Sequence, residues 1–244
     1  MKTLVIIPSR LSATRLPGKP LLKINGISMI SNVFKKAEEA NIGEVIVATE
    51  DQEIIDDVKQ NGGQAILTKK SHKTGTDRIY EALKNLNKPD IELVMNLQGD
   101  EPLMDINDIK SLHNHMIKTK SELGTLASVI QEHKIFKSQN VVKVTTKESL
   151  GKSNFPAAVN FSRKLNNLSK NTYHHLGIYC FQYHILKKFV TCKQSQNEIA
   201  NNLEQLRALD NNININVALA KESPIGVDTE EDFVAIKKIM EYKS

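Results

Sequence analysis

T-L-V-I-I-P-S-R-L-S-A-T-R-L-P-G-K-P, residues Thr3 to Pro20, decides how the rest of the chain reads. Leu4 to Ile7 form an apolar run long enough for a buried strand and too short for a helix, and the run turns abruptly into a loop of Ser, Thr, Arg, Gly, Lys and Pro. In an open α/β sheet the loops leaving the carboxyl ends of strands build the ligand crevice, so Ser9, Arg10, Arg15 and Lys19 are expected to converge on an anion. Gly18 admits a close backbone approach, while Pro17 and Pro20 restrict the loop. Three cations held in this way suit a polyphosphate. A solvated basic loop is the alternative, because Lys and Arg are ordinarily exposed.

Working outward, strands and helices alternate. A helical pattern over Met29 to Ala40 carries Ile30, Val33, Phe34 and Ala37 on one face. Glu44 to Ala48 reads as a β-branched strand, and Thr49-Glu50-Asp51-Gln52 resembles a capping box opening a helix with Ile54, Ile55 and Val58 inward. Gly62-Gly63 closes that helix, and Gln64 to Leu67 gives another strand. This winding predicts an α/β fold with a doubly wound, mainly parallel sheet. Thr76 or Asp77 is expected to cap the next helix and to leave Arg78 in its first turn. A cation there opposes the helix dipole unless an anion is near, so Arg78 either contacts a ligand or extends to water. The strand Ile91 to Leu97 runs into Gln98-Gly99-Asp100-Glu101-Pro102, which puts Asp100 at the ligand rim.

Further on, a helix over Ile106 to Met116 and strands over Gly124 to Ile130 and Val141 to Thr145 are expected. From Thr146 to Thr172 the composition shifts to Ser, Asn and Lys, with one strand at Ala157 to Phe161, as in an insertion. Tyr173 to Tyr179 reads as a strand, Phe181 to Phe189 and Glu198 to Leu209 as helices, and Ile213 to Ala220 as a strand. In the second of these helices Leu203, Leu206 and Leu209 share a side. Thr229 caps a final helix expected to bury Phe233, Ile236 and Ile239. The organisation is one α/β domain over residues 1–244 with an insertion at about 146–210.

Bulk properties narrow the function. Lys and Arg total 33 against 28 Asp and Glu, a net charge of +5, but the excess is spread over single helical lysines. With no arginine-rich arm, nucleic acid is not an expected partner. Cys180 and Cys192 form neither a metal pattern nor a disulfide framework, which points to a reducing, cytoplasmic setting. The opening apolar run stops at Pro8-Ser9-Arg10 and no later stretch reaches spanning length, so no membrane insertion is expected.

A bound phosphate chain usually brings a divalent cation, and Mg²⁺ needs only one or two carboxylates besides phosphate and water. Asp100 and Asp228 each follow an apolar stretch and precede a turn or helix, so both are candidates; a turn residue and a helix cap are the plainer readings. The chain contains no G-x-x-x-x-G-K-[ST], no G-x-G-x-x-G after the first strand and no G-x-S-x-G, which argues against a P-loop NTPase, a dinucleotide oxidoreductase and an α/β-hydrolase. Direct displacement at phosphorus needs none of them.

The opening string, with T-G-T-D-R at 74 to 78, N-L-Q-G-D-E-P at 96 to 102, N-F-S-R at 160 to 163, H-L-G-I-Y at 175 to 179, L-E-Q-L-R at 203 to 207 and G-V-D-T-E-E-D at 226 to 232, resembles the 3-deoxy-manno-octulosonate (Kdo) cytidylyltransferase family. The first and third strings are shared with related cytidylyltransferases, and H-L-G-I-Y with L-E-Q-L-R is the narrower signal for Kdo. The resemblance implies a Mg²⁺-dependent reaction of CTP with Kdo that releases pyrophosphate and activates the sugar for lipopolysaccharide synthesis. It also implies a homodimer, with the insertion serving dimerisation and sugar binding. By the same resemblance Ser9, Arg10, Arg15 and Lys19 hold the triphosphate, Arg78 and Gln98 line the nucleotide pocket, and Asp100 and Asp228 bind magnesium. Lys19, Arg15, Asp100 and Asp228 form the catalytic set. Arg163, His175, Tyr179, Glu204 and Gln205 receive the acid sugar. After Arg163 the family continues with a small residue, Ile-Pro, an aromatic and an arginine, whereas Lys164-Leu165-Asn166-Asn167-Leu168 stands here, which leaves a modified Kdo or a nonulosonate open as substrate. A non-catalytic nucleotide-binding protein is the alternative from another class.

Overall fold

The computed structural model describes residues 1–12, 15–131, 136–165, 169–223 and 226–242. The fold is α/β with a mainly parallel central sheet, and the chain divides into two compact units. One comprises residues 2–106 with 224–244, the other residues 107–223 with Met1.

In the first unit β1 (Thr3–Ser9) lies between β4 (Glu44–Thr49) and β6 (Leu93–Asn96), and β4 is followed by β5 (Ala65–Leu67). All of these pairings are parallel, with Ser9 opposite Thr49. Leu4 to Ile7 have no exposed surface, as a near-continuous apolar run demands of a strand covered on both faces. A small hairpin of β2 (Lys23–Ile24) and β3 (Ile27–Ser28) turns at Asn25-Gly26 and leads into α1 (Met29–Glu39), capped by Ser28. The helices α2 (Gln52–Gln60) and α3 (Gly75–Leu86) follow β4 and β5.

Two expectations about helix starts are corrected. Asp51 is the N-cap of α2 but makes no side-chain capping bond. Its carboxylate instead accepts from the Leu11 amide at 2.7 Å, anchoring the basic loop to the end of β4. The cap of α3 is Thr74, not Thr76 or Asp77; its hydroxyl accepts from the Asp77 amide at 3.2 Å. The unit is completed by the last helix of the chain, α8 (Glu230–Tyr242), where Thr229 accepts from the Asp232 amide as expected. Of the three side chains expected inside, only Ile236 is fully buried; Phe233 is partly covered, and both pack with Met240 against Ile24, Met29 and Val227.

In the second unit α4 (Ile106–Thr119) precedes β7 (Leu123–Ser128), which lies between β11 (Ile215–Leu219), parallel to it, and β10 (Thr172–Gln182), antiparallel. On its other edge β10 pairs antiparallel with β8 (Lys143–Thr146), and β8 pairs with β9 (Ala158–Ser162). After β10 comes α5 (Tyr183–Thr191). The single helix expected over Glu198 to Leu209 is two short ones, α6 (Gln196–Asn201) and α7 (Leu206–Asp210). Asn202 breaks the pattern by taking the left-handed conformation, φ 50°, which Asn tolerates better than most residues. The break moves Glu204 and Gln205 off a helix face and into the connection.

Candidate active site

Within the first unit, the basic loop and two carboxylates meet. Gly18 sits at φ 71° and opens a short 3₁₀ turn, Lys19–Leu21, with Pro20 in its first positions. The Gly18 amide donates back to the Leu11 carbonyl at 3.1 Å, closing the loop at its base. The turn sends Lys19 Nζ to Asp100 Oδ2 at 2.6 Å and to the Val227 carbonyl at 2.8 Å, with Asp228 Oδ1 3.8 Å away. Arg15 Nη2 reaches Asp228 Oδ1 at 2.9 Å from the solvent side. The two aspartates, 128 positions apart in sequence, are therefore joined through one ammonium. They are held together by backbone as well, since the Val227 amide donates to the Asp100 carbonyl at 2.9 Å.

Close packing explains how Asp100 arrives there. A side chain on Gly99 would come within 3.3 Å of the Pro8 carbonyl and 3.0 Å of the end of Ile30, tighter than ordinary contact, so its absence lets this turn lie against the end of β1 without displacing either. Ser9 is buried at the end of β1, Arg10 is exposed, and Gln98 is half-buried beside the turn. Ala13 and Thr14 lie outside the described residues.

Arg78 does not extend to water. It is 3% exposed, its guanidinium is paired with Glu50, and Nη1 donates to Thr68 Oγ1 at 2.6 Å. The cation in the first turn of α3 thus finds its anion within the protein, and Glu50 was not picked out from the sequence.

Glu101, next to Asp100, was also missed. Its Oε2 is buried and has no hydrogen-bond partner among the described residues. Burial, then the charges of Asp100 and Asp228, push its carboxyl up to about 8, with Lys19 opposing them. The signal was its place after Asp100 in Q-G-D-E-P.

Metal chemistry can be tested against these groups. A cation, that of Lys19, already stands against both Asp100 and Asp228, and both carboxylates keep part of their surface exposed. Two carboxylates open to water are a donor set that suits magnesium, which retains several waters of its own. Among the described residues no three or more His, Cys, Asp or Glu side chains form a metal cage.

The second unit carries the residues expected to meet a sugar acid. Arg163 follows β9, is half-buried, and donates from Nη1 to the Asn140 carbonyl at 3.1 Å. Its own carbonyl accepts from the buried Lys143 ammonium at 2.8 Å. His175 and Tyr179 flank a register shift in β10 that falls between Leu176 and Tyr179. Thr125 Oγ1 lies 2.7 Å from the Ile178 carbonyl, 3.2 Å from that of Leu176 and 3.0 Å from His175 Nε2. The hydroxyl has one proton, and the shortest contact assigns it to Ile178; His175 then donates from Nε2. Burial, then the neighbouring His174, push the imidazole down to about 3, so it is neutral at pH 7. Burial and the Glu204 charge hold the Tyr179 phenol well above its usual range. Gln205 is buried, and Glu204 lies half-covered beside it. A cleft of about 350 Å³ runs between β9 and the α6–α7 pair, lined by Asn160, Ser162, Asn197 and Asp210 among others, but none of the five expected sugar residues lines it. Of the segment that departs from the family pattern, Asn166 to Leu168 lie outside the described residues.

His175 predicts a pH effect. Its folded-state value is depressed from 6.5, so the stability it confers is present above pH 6.5 and is lost as pH falls from there towards 3. Thermal unfolding midpoints should drop over that window, and His175→Gln should drop less although it starts lower at pH 7. Parallel curves for the two proteins would remove His175 as the cause.

Comparison with known proteins matches residues 4–215 to the family model described as cytidylyltransferase. The 3-deoxy-manno-octulosonate cytidylyltransferase of Rhodopseudomonas palustris (strain BisB18) is 40% identical over 242 residues, covering 98% of each chain. That of Thermodesulfovibrio yellowstonii is 39% identical over 251 residues, again covering 98% of each. Among solved structures, CMP:2-keto-3-deoxy-manno-octonic acid synthetase complexed with CTP superposes with a TM-score of 0.90 and 32% identity, with both chains covered completely.

Proposed function

Because the chain belongs to the 3-deoxy-manno-octulosonate cytidylyltransferase family, we propose that it couples CTP to Kdo, giving CMP-Kdo and pyrophosphate, the activated sugar serving lipopolysaccharide synthesis. The observation that carries this reading is the junction of Lys19 and Arg15 with Asp100 and Asp228, a charged cluster suited to a triphosphate.

In this reading the anomeric hydroxyl of the sugar acid attacks the α-phosphorus of CTP. An oxygen–phosphorus bond forms, the α–β phosphoanhydride breaks, and the hydroxyl proton is released. Lys19 and Arg15 offset charge on the departing pyrophosphate, Ser9 and Arg10 hold the phosphate chain, and Gln98 and Arg78 shape the nucleotide pocket. Asp100 and Asp228 would hold magnesium, which supplies charge neutralisation and a template for phosphate oxygens when bound. Arg163 pairs with the sugar carboxylate, as a guanidinium fork suits. Tyr179, Glu204 and Gln205 take ring hydroxyls, and His175 acts as a neutral partner.

The reading includes a homodimer in the cytoplasm. Its support is the family resemblance, the exposed Val159 and Ile199 of the second unit, and the fact that no helix among the described residues is long and apolar enough to cross a membrane. A single-chain mass by sedimentation would remove the dimer.

The test is pyrophosphate release from CTP and UTP with a panel of 2-keto sugar acids. Kdo with CTP is expected to be the fastest pair, and Arg163→Ala to raise the sugar KM by about tenfold or more while the CTP KM stays within a factor of about two. The panel extends beyond Kdo because Lys164 to Leu168 depart from the family pattern. A preferred nonulosonate would reassign the sugar, and no release with any acid would leave a nucleotide-binding protein.

A further inference from the structure

Arg207 closes the string L-E-Q-L-R and has so far been given no role, yet its side chain is held on several sides. It is 3% exposed, yet lies only two and three residues beyond Gln205 and Glu204. Its guanidinium makes a two-pronged bond to Glu198, Nε to Oε2 at 2.9 Å and Nη2 to Oε1 at 2.5 Å, and stacks 4.7 Å above the Phe189 ring.

Glu198, also 3% exposed, is itself fixed from other directions. It closes a capping box at the start of α6, accepting from the Ser195 amide at 3.2 Å while Ser195 Oγ accepts from the Glu198 amide at 3.1 Å. Gln194 Nε2 donates to it at 3.2 Å as well. Burial alone would raise this carboxyl; the bonds from Arg207 and Gln194 outweigh it and hold the group below the usual carboxylate range. One buried ion pair therefore ties the start of α6 to the start of α7.

Glu204 and Gln205 occupy the few residues between those two points, after the left-handed Asn202. The Arg207 amide donates to the Glu204 carbonyl at 3.0 Å, and the Ala208 amide to that of Gln205 at 3.1 Å. Arg207 Nη2 also lies 4.0 Å from Glu204 Oε1, too far for a hydrogen bond but close enough to attract the carboxylate. A helix would have set these two side chains by its own geometry; here the connection needs an outside anchor.

We infer that Arg207, locked by Glu198, is a positioning residue that holds Glu204 and Gln205 in register for the sugar acid. The inference rests on the sugar-binding role proposed for those two residues. A lysine at 207 keeps the charge but loses the fork, and Glu198→Gln keeps the shape but loses the charge, so both loosen the connection while leaving the core filled.

The experiment measures sugar and CTP KM by pyrophosphate release for wild type, Arg207→Lys, Glu198→Gln, the pair Glu204→Ala/Gln205→Ala, and that pair with Arg207→Lys added. Arg207→Lys and Glu198→Gln are each expected to raise the sugar KM by about tenfold or more, with the CTP KM within about twofold. Added to the Glu204→Ala/Gln205→Ala pair, Arg207→Lys should change the sugar KM by less than about twofold, because nothing is left for it to position. An equal rise in both KM values, or the full tenfold effect in the absence of Glu204 and Gln205, overturns the positioning role. If the Glu204→Ala/Gln205→Ala pair itself leaves the sugar KM unchanged, the sugar-site reading fails instead and takes this inference with it.

Discussion

Asp100→Asn is expected to lower pyrophosphate release by at least about a thousandfold at saturating CTP and sugar acid, a loss at the upper end for removing one preorganised electrostatic group. The size follows from position. Asp100 stands on the turn after β6, takes the shortest bond Lys19 makes, and shares that ammonium with Asp228. Asparagine fills the same space, so the folded structure should survive with a similar melting temperature, although Lys19 loses a charged partner. Lys19 would then be freer to turn away, compounding the loss. Turnover within tenfold of wild type would remove Asp100 from the catalytic set and leave it a turn residue.

The second large effect is on stability and concerns Arg78. Arg78→Met in the nucleotide-free protein should cost about 3–5 kcal/mol of unfolding free energy, the usual consequence of stranding one member of a buried ion pair. Glu50, 11% exposed in the folded protein, would lose its guanidinium partner, and Thr68 would lose a donor. Denaturant unfolding checks this directly. Replacing both members, Arg78→Met with Glu50→Leu, should recover much of the loss, since a well-packed apolar pair can equal a buried ionic one. If Arg78→Met leaves stability unchanged and only weakens CTP, the residue serves the ligand and not the fold.

These two residues also mark what could be read from sequence. Asp100 was legible because position alone suffices: an apolar strand followed by Q-G-D must deliver its acid to the sheet rim. The parallel winding was legible for the same reason, since runs such as Leu4 to Ile7 can be buried only between two covered faces. The environment of Arg78 was not, because its partner lies 28 residues away at the end of another strand and nothing local links them. The break at Asn202 was hidden by the periodicity of Leu203, Leu206 and Leu209, which suits either one helix or two short ones. Asp51 looked like part of a capping box; tertiary structure gave its carboxylate to the Leu11 amide instead. Local chemistry announced elements and rim positions, whereas pairings across distant loops required the fold.

The unit that holds Lys19 is assembled from both ends of the chain, and this has a consequence for its birth on the ribosome. Asp228 is synthesised 128 residues after Asp100, on the order of ten seconds later at ordinary elongation speeds. Until that tail emerges, the Lys19 ammonium lacks the Val227 carbonyl and one of its two anions, and the hydrophobic seat for Ile236 beside Ile24 and Met29 stays open. A chain cut before Val227 therefore leaves the Lys19 ammonium with Asp100 and the Ile24 and Met29 surface without Val227 and Ile236.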